Sequence, residues 1–460
     1  MATTRVLGGT VVTGSGRMRA DLVLRDGVVA SWHADASDVP ADETIDAAGL
    51  LVLPGAIDVH THFEEPDPNL LEGFLTGSMA AAAGGVTTVV EMPQAHPTTT
   101  TAELLREKRE IAERTSIVDM AFWGGITLTN GQTADDLRAM ASKGAAAFKS
   151  FMASSSPFFP AVDNARLKAA MEVAAETGLP YGLHAEDDSL LRDGIARMQA
   201  AGRTDAMAHA ESRPPLVETV AVAAALALAE ETGAPVHICH VASAGALRLI
   251  GEARRRGVNV TCETCPQYLV LDTGDLARLR GFGRCAPALR ERSEVEALWA
   301  ALLAGEVDLV CSDHCGFTVA SKQRGDEDIF SVPNGLQGIQ TLLPSLWSEG
   351  VANRGMAPEM AVRLLSEAPA RIFGLAPRKG SLAPGSDADV VLFDPRREWT
   401  VTVEDHLHRQ PWSPYAGKRM TGRVVRTIRR GETIFDDRRA GAERIVAAAG
   451  SGMTLRRAAG

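Results

Sequence analysis

Between residues 54 and 315 the chain alternates short apolar runs with longer stretches in which apolar residues recur every three or four positions. The apolar runs end at His60, Met92, Ile126, Phe151, His184, His240, Glu263 and Asp313, each the length of a strand buried on both faces. The stretches between them, 71–83, 102–114, 134–142, 164–176, 216–231, 244–255 and 293–303, place alanine, leucine and charge at helical spacing. Eight strands alternating with helices predict an α/β fold of the (β/α)8 barrel type. An open doubly wound sheet is the competing architecture, but no Gly-x-Gly-x-x-Gly follows the first strand. The flanks have a different texture. Short β-type runs at 10–12, 21–24 and 28–31 are separated by Gly14-Ser15-Gly16 and by Asp26-Gly27, a two-residue hairpin signal. The same texture returns at 389–393, 399–403, 423–429 and 433–435. The expected organisation is a barrel over 54–375, a small β-sandwich built from both chain ends (1–53 and 376–440), and a mobile tail over 441–460.

Composition narrows this picture in three ways. The 460 residues suggest roughly three domains at ~150 residues each, but a barrel absorbs enough of the chain to leave two. Apolar residues make up 45% and charged residues 23%, so a large core forms without disulfide staples. A formal net charge of −11, with only short basic runs such as Arg254–Arg256, lacks the electrostatic footprint of a nucleic-acid partner. The longest wholly apolar run, Val220–Ala229, is half a membrane span and reads as a buried helix. With no signal-peptide pattern at the start, the expected location is cytoplasmic, with no membrane partner. The six cysteines are scattered, as reduced thiols are, and Cys262-x-x-Cys265 has no second pair with which to build a zinc ribbon.

The candidate chemistry lies where the strands end. In a barrel, side chains at the carboxyl ends of the strands face the active site. The first strand ends in His60-Thr61-His62, and residues two apart in a strand share a face. His184 closes the fifth strand, His240 the sixth and Asp313 the eighth, while the fourth carries Lys149 inside an apolar run. A charged lysine there is costly unless paired or modified; a CO2-derived carbamate turns it into an anionic ligand able to bridge two metals. Taken singly, each histidine reads as a core or rim residue, and Lys149 as the partner of a nearby acid. Five ligand-type residues closing four strands, with a lysine on a fifth, outweigh those separate readings. Together they suit two zinc-class ions with open positions.

These residues stand within motifs that resemble the cyclic amidohydrolases, the family of allantoinases, hydantoinases/dihydropyrimidinases and dihydroorotases. The resemblance covers Asp46–Gly49, Leu53–His62, Gly84–Thr88, Phe148-Lys149, His184-Ala185-Glu186, Ser212–Pro215, Glu263–Pro266, Ser312–His314, Gly385–Asp389 and Arg430-Gly431. It implies two divalent ions per chain, zinc or else manganese or cobalt, held by His60, His62, carbamylated Lys149, His184, His240 and Asp313. It further implies a metal-activated hydroxide that attacks a ring amide, Asp313 as the catalytic base and then acid, and a homotetramer.

Within the family the signals divide. Phe63 stands where dihydroorotases carry an arginine and Gln94 where they carry asparagine, which counts against that branch. Glu65-Pro66, Glu72–Phe74, Trp123–Gly125 and Ser413–Tyr415 look most like allantoinase. The segment Ser312–Phe317 with Pro333-Asn334-Gly335 resembles hydantoinase, in which the asparagine binds the ring. Yet Ser154 replaces the tyrosine of those enzymes and Ala286 their serine. The expected substrate-facing set is therefore Asn334, Phe63, Gln94, Ser154 and Ala286, around a small cyclic amide or ureide with allantoin ahead of other hydantoins. Outside this reaction class stand two further readings, a non-enzymatic assembly protein and a deaminase with a single metal.

Overall fold

The computed structural model describes residues 3–67, 71–127, 131–154 and 159–457. Its central sheet holds β1 (Ala56–His62), β2 (Val86–Glu91), β3 (Asp119–Gly125), β4 (Ala147–Phe151), β5 (Tyr181–His184), β6 (Val236–Ile238), β7 (Val260–Thr264), β8 (Leu309–Val310) and β9 (His314–Cys315). All pair in parallel, in the order β8-β7-β6-β5-β4-β3-β2-β1-β9. β8 and β9 are one strand broken at residues 311–313. Its first piece pairs with β7 and its second with β1, which closes the barrel. Asp58 ties this seam, its carboxylate accepting from the Ser312 N–H at 3.0 Å.

The outer helices lie at Phe74–Ala83, Ala102–Thr115, Ala134–Ser142, Asn164–Thr177, Pro215–Thr232, Ala244–Arg255 and Arg292–Leu303, within a few residues of the spacing's expectation. Two more, Asp188–Ala200 and Ala206–Ser212, follow β5. The side chains of Asp187 and Asp205 cap them. The second of them and the next helix form a stretch, Ala206–Thr232, with the length and hydropathy of a membrane span. Pro214 and Pro215 interrupt it, and the helix Pro215–Thr232 buries Val217, Val222, Ala225 and Leu226. Inside the barrel the Trp123 ring fills the space left by Gly182, where a Cβ would come within 2.4 Å of it. Trp123 is thus barrel core, anchored by its indole N–H to the Val59 carbonyl at 2.8 Å.

Both chain ends build the sandwich. One sheet pairs Val28–His33, Asp21–Arg25, Thr3–Leu7 and Glu43–Asp46; the other runs Glu432–Asp436, Arg419–Arg429, Val390–Thr400, Leu51–Pro54, Thr10–Thr13 and Gly16–Arg19. The second sheet joins the termini directly, since Val390–Thr400 pairs antiparallel with Leu51–Pro54. The two runs expected at 389–393 and 399–403 fuse into the strand Val390–Thr400, which absorbs the gap in irregular pairing. Val6, Leu22, Val29, Val52, Val390 and Ile428 fill the space between the sheets.

The end of the chain corrects an expectation. Residues 441–457, anticipated as a mobile tail, run back along the barrel. The Leu455 N–H donates to the Met120 carbonyl at 2.7 Å and the Met120 N–H to Met453 at 2.9 Å. Alanine and glycine content concealed this, because the contact is made by backbone, by the buried Leu455 and by a few polar side chains such as Thr454, which donates to Glu113 at 2.6 Å.

Where sandwich meets barrel, the buried Lys379 Nζ lies 2.5 Å from Asp119, 2.9 Å from Asp387 and 2.9 Å from Asp389. Removing the ammonium takes the shared counter-ion from all three carboxylates, leaving Asp119 with Arg430 at 3.3 Å and Asp387 with Arg378 at 2.9 Å. Lys379→Met is expected to lower unfolding free energy by about 3–5 kcal/mol. Denaturant melts of the two proteins check it; a loss below ~1 kcal/mol would mean that Arg429 and Arg430 compensate the cluster without the lysine.

Candidate active site

The strand ends deliver their polar residues to the mouth of the barrel. His60 and His62 share one face of β1, while Thr61 between them turns away and donates to Glu91 at 2.6 Å. Asp313 Oδ1 stands 3.4 Å from His60 Nε2 and 3.3 Å from His62 Nε2. Across the mouth, His184 Nδ1 and His240 Nε2 face each other at 3.0 Å. The rings of His60 and His240 bring the halves together, with centroids 5.2 Å apart. Lys149 on β4 is fully buried, and its Nζ has no hydrogen-bond partner. The structure thus gathers all six residues expected as ligands.

Backbone conformation aims two of them. His240 has φ +36° and Asp313 φ +48°, left-handed values that non-glycine residues seldom adopt. Each lies two or three residues past the end of a strand, so the turn swings its side chain into the mouth instead of letting it continue the pleat. Strained backbone of this kind persists where the surrounding contacts over-determine it, and functional sites are where it concentrates.

Buried acids stand behind the imidazoles. Glu263 is in close contact with His60 Nδ1, also accepts from His237 Nε2 at 3.1 Å, and accepts from the His240 N–H at 3.2 Å. Glu186 lies 2.8 Å from His184 Nε2 and 3.5 Å from Arg213 Nη1. These two carboxylates were missed as functional residues, although Glu263 closes the seventh strand as the ligands close theirs. Burial pushes His60 down to about 4, so its ring is neutral near pH 7 and free to ligate. Burial would raise Asp313, but His60 and His62 beside it hold the carboxyl below its ordinary value. Burial would likewise raise Glu186, yet Arg213 and His184 hold it at about 2.

This donor set fits a pair of divalent ions. One nitrogen each of His60 and His62 and one oxygen of Asp313 lie within 4.8 Å of one another, the spread of a single coordination shell. His184 and His240 form a second facing pair, and the orphaned Lys149 amine lies buried at the same mouth. His60, Cys239 and Glu263 also cluster within 4.8 Å. Burial raises the Cys239 thiol far above its ordinary range, however, and histidines already occupy Glu263, so that cluster is a poor ligand set.

Above the ligands opens a cavity of about 560 Å³, lined by His60, His62, His184, His240 and Asp313 and by residues of the surrounding loops. Four of the five residues expected to face substrate line it: Gln94, Ser154, Ala286 and Asn334. Phe63 does not; its ring is fully buried against Gly77 and edge-on to His314 at 5.8 Å. Arg284 Nε donates to Asn334 Oδ1 at 3.0 Å, which takes up one lone pair of that oxygen. The buried Lys322 pins the same loop, its Nζ 3.0 Å from the carbonyls of Arg284 and of Pro333. The chain's three tyrosines, Tyr181, Tyr268 and Tyr415, are all buried, and none lines the cavity. Its lining mixes polar residues such as Glu64, Gln94, Asp188 and Arg192 with apolar ones such as Phe159, Ile195 and Phe330.

A parallel barrel with histidines, an aspartate and a buried lysine at its strand ends defines a metal-dependent hydrolase. Sequence and structure comparisons agree. The amidohydrolase family model matches residues 51–434. An allantoinase from Rubrobacter xylanophilus is 44% identical over 433 residues, 94% of each chain. The L-hydantoinase of Paenarthrobacter aurescens is 36% identical over 428 residues, 93% of each. Among solved structures, the L-hydantoinase (dihydropyrimidinase) from Arthrobacter aurescens superposes with a TM-score of 0.95 at 34% identity, covering 99% of this chain and 100% of that one. The chain belongs to the amidohydrolase family.

Proposed function

We propose that this cyclic amidohydrolase opens a hydantoin ring bearing a ureido substituent, with allantoin as substrate and allantoate as product. The observation that carries the reading is the set of polar residues, Glu64, Gln94, Asp188 and Arg192, that line the cavity beside the histidines. A ureido tail presents amide donors and a carbonyl acceptor to Glu64, Gln94 and the ion-paired Asp188 and Arg192, polar contacts that an apolar tail would not use. The similarity to the Rubrobacter allantoinase supports it. The cavity also lacks the tyrosine that the hydantoinase pattern carries at position 154, where this chain has serine.

In this reading His60, His62, Asp313, His184, His240 and a carbamate on Lys149 would hold two zinc-class ions; manganese or cobalt would suit the same donors. When bound, the ions polarise the amide carbonyl and activate water at neutral pH. Asp313, kept ionised by the two imidazoles beside it, takes the proton of the attacking water. It returns that proton to the ring nitrogen as the C–N bond breaks and the new C–O bond makes the product carboxylate. Gln94, Ser154, Ala286 and Asn334 orient the ring. Location in the cytoplasm and a homotetramer complete the proposal. Leu216 and Val220, 57% and 38% exposed and one turn apart on a helix, supply an apolar face for such an assembly.

A panel of ring-opening assays on zinc- or manganese-loaded enzyme tests the substrate. Allantoin is expected to exceed hydantoins, dihydrouracil, dihydroorotate and simple cyclic imides in kcat/KM by about tenfold or more. Preference for an apolar 5-substituted hydantoin would transfer the assignment to hydantoinase, the reading favoured by the Pro333-Asn334-Gly335 loop. Metal analysis of the same preparation separates the other classes: two ions per chain are expected, one would favour a deaminase, and none under any condition an assembly protein.

A further inference from the structure

The acids behind the histidines divide between the two halves of the site. Glu263 contacts Nδ1 of His60 and leaves Nε2 bare on the Asp313 side. Glu186 contacts Nε2 of His184 and leaves Nδ1 bare on the His240 side. A neutral imidazole carries one N–H, so a carboxylate that takes that hydrogen decides which nitrogen is free to ligate. The second histidine of each pair has no such hydrogen bond at its ring: Nδ1 of His62 stands 3.9 Å from Glu64, and Nδ1 of His240 is buried without a partner, Glu263 reaching His240 only at its backbone N–H.

Each acid is braced from behind by a different element. His237 on β6 holds Glu263 at 3.1 Å, and Arg213, following the helix Ala206–Ser212, stands 3.5 Å from Glu186.

We infer that the two ions have separate positioning carboxylates: Glu263 fixes the His60 tautomer for the ion shared with His62 and Asp313, and Glu186 fixes that of His184 for the ion shared with His240. This rests on the two-ion reading above. The two subsites are therefore tunable one at a time, although a single lysine joins them.

Zinc or cobalt stoichiometry and chelator competition on the full-length protein test it. Glu186→Gln is expected to weaken one ion by about 10- to 100-fold and leave the other unchanged. That effect should vanish in a His184→Ala background, where its target is already lost, and persist in His62→Ala. Glu263→Gln should behave in the opposite sense, silent in His60→Ala and visible in His240→Ala. Equal losses in both backgrounds, or wild-type affinity for both ions in Glu186→Gln, overturn the inference. Should Glu263→Gln fail to fold, the Glu186 arm decides alone. Fewer than two ions on the wild-type chain overturn the two-ion reading and the inference with it; two ions with unselective variants overturn only the inference.

Discussion

Asp313→Asn is expected to lower kcat by roughly 10³- to 10⁴-fold while the fold survives. The carboxylate stands 3.4 and 3.3 Å from the two β1 histidines and has no substitute: the other buried acids of the site, Glu263 and Glu186, face the backs of the rings. Asparagine keeps the shape and one oxygen ligand but cannot take the water proton or return it to the leaving nitrogen. Its loss should therefore fall on kcat, with KM little changed. Thermal melting within a few degrees of wild type, together with retained metal, would separate lost chemistry from lost structure. Near-normal turnover in Asp313→Asn or Asp313→Ala would refute the acid–base assignment.

The second large effect is expected at Lys149. Its Nζ is buried with no hydrogen-bond partner, an arrangement that costs several kcal/mol for a charged amine and is relieved when the amine becomes a ligating carbamate. Lys149→Ala should drop metal content from two ions to one or fewer, with at least a ~10³-fold loss of activity. The truncation leaves a channel the size of the lost side chain beside Phe151. A short carboxylic acid such as acetate or propionate can enter it and supply the missing bridging oxygens, so partial rescue of both metal content and turnover is expected. Full metal occupancy in Lys149→Ala without added acid would refute the bridging role.

These residues were legible because two periodicities converge on them. Spacing of 3.6 and 2.0 marked the helices and strands, and the barrel's rule that chemistry sits at strand ends then picked out His60, His62, His184, His240 and Asp313. The same rule would have flagged Glu263, which closes β7, but a lone carboxylate at a strand end does not announce that it faces the back of a histidine from β1. Phe63 misled for a related reason. It follows His62 directly, yet the chain turns at Glu64, with φ +53°, and carries the ring into the packing beneath the mouth.

By itself the sequence determined the alternation of strand and helix, the return of both ends to one β-domain, and the type and order of the candidate ligands. All of these depend on contacts close in sequence or on a face that repeats along it. Only the tertiary structure decided the rest. It broke the eighth strand at 311–313 so that the two pieces close the barrel, and it turned His240 and Asp313 through left-handed backbone into the mouth. It also committed Asn334 Oδ1 to Arg284, and set Glu263 and Glu186 behind different histidines. These contacts join residues from separate loops or strands, up to 253 positions apart for Thr61 and His314, and no local pattern records where such partners meet.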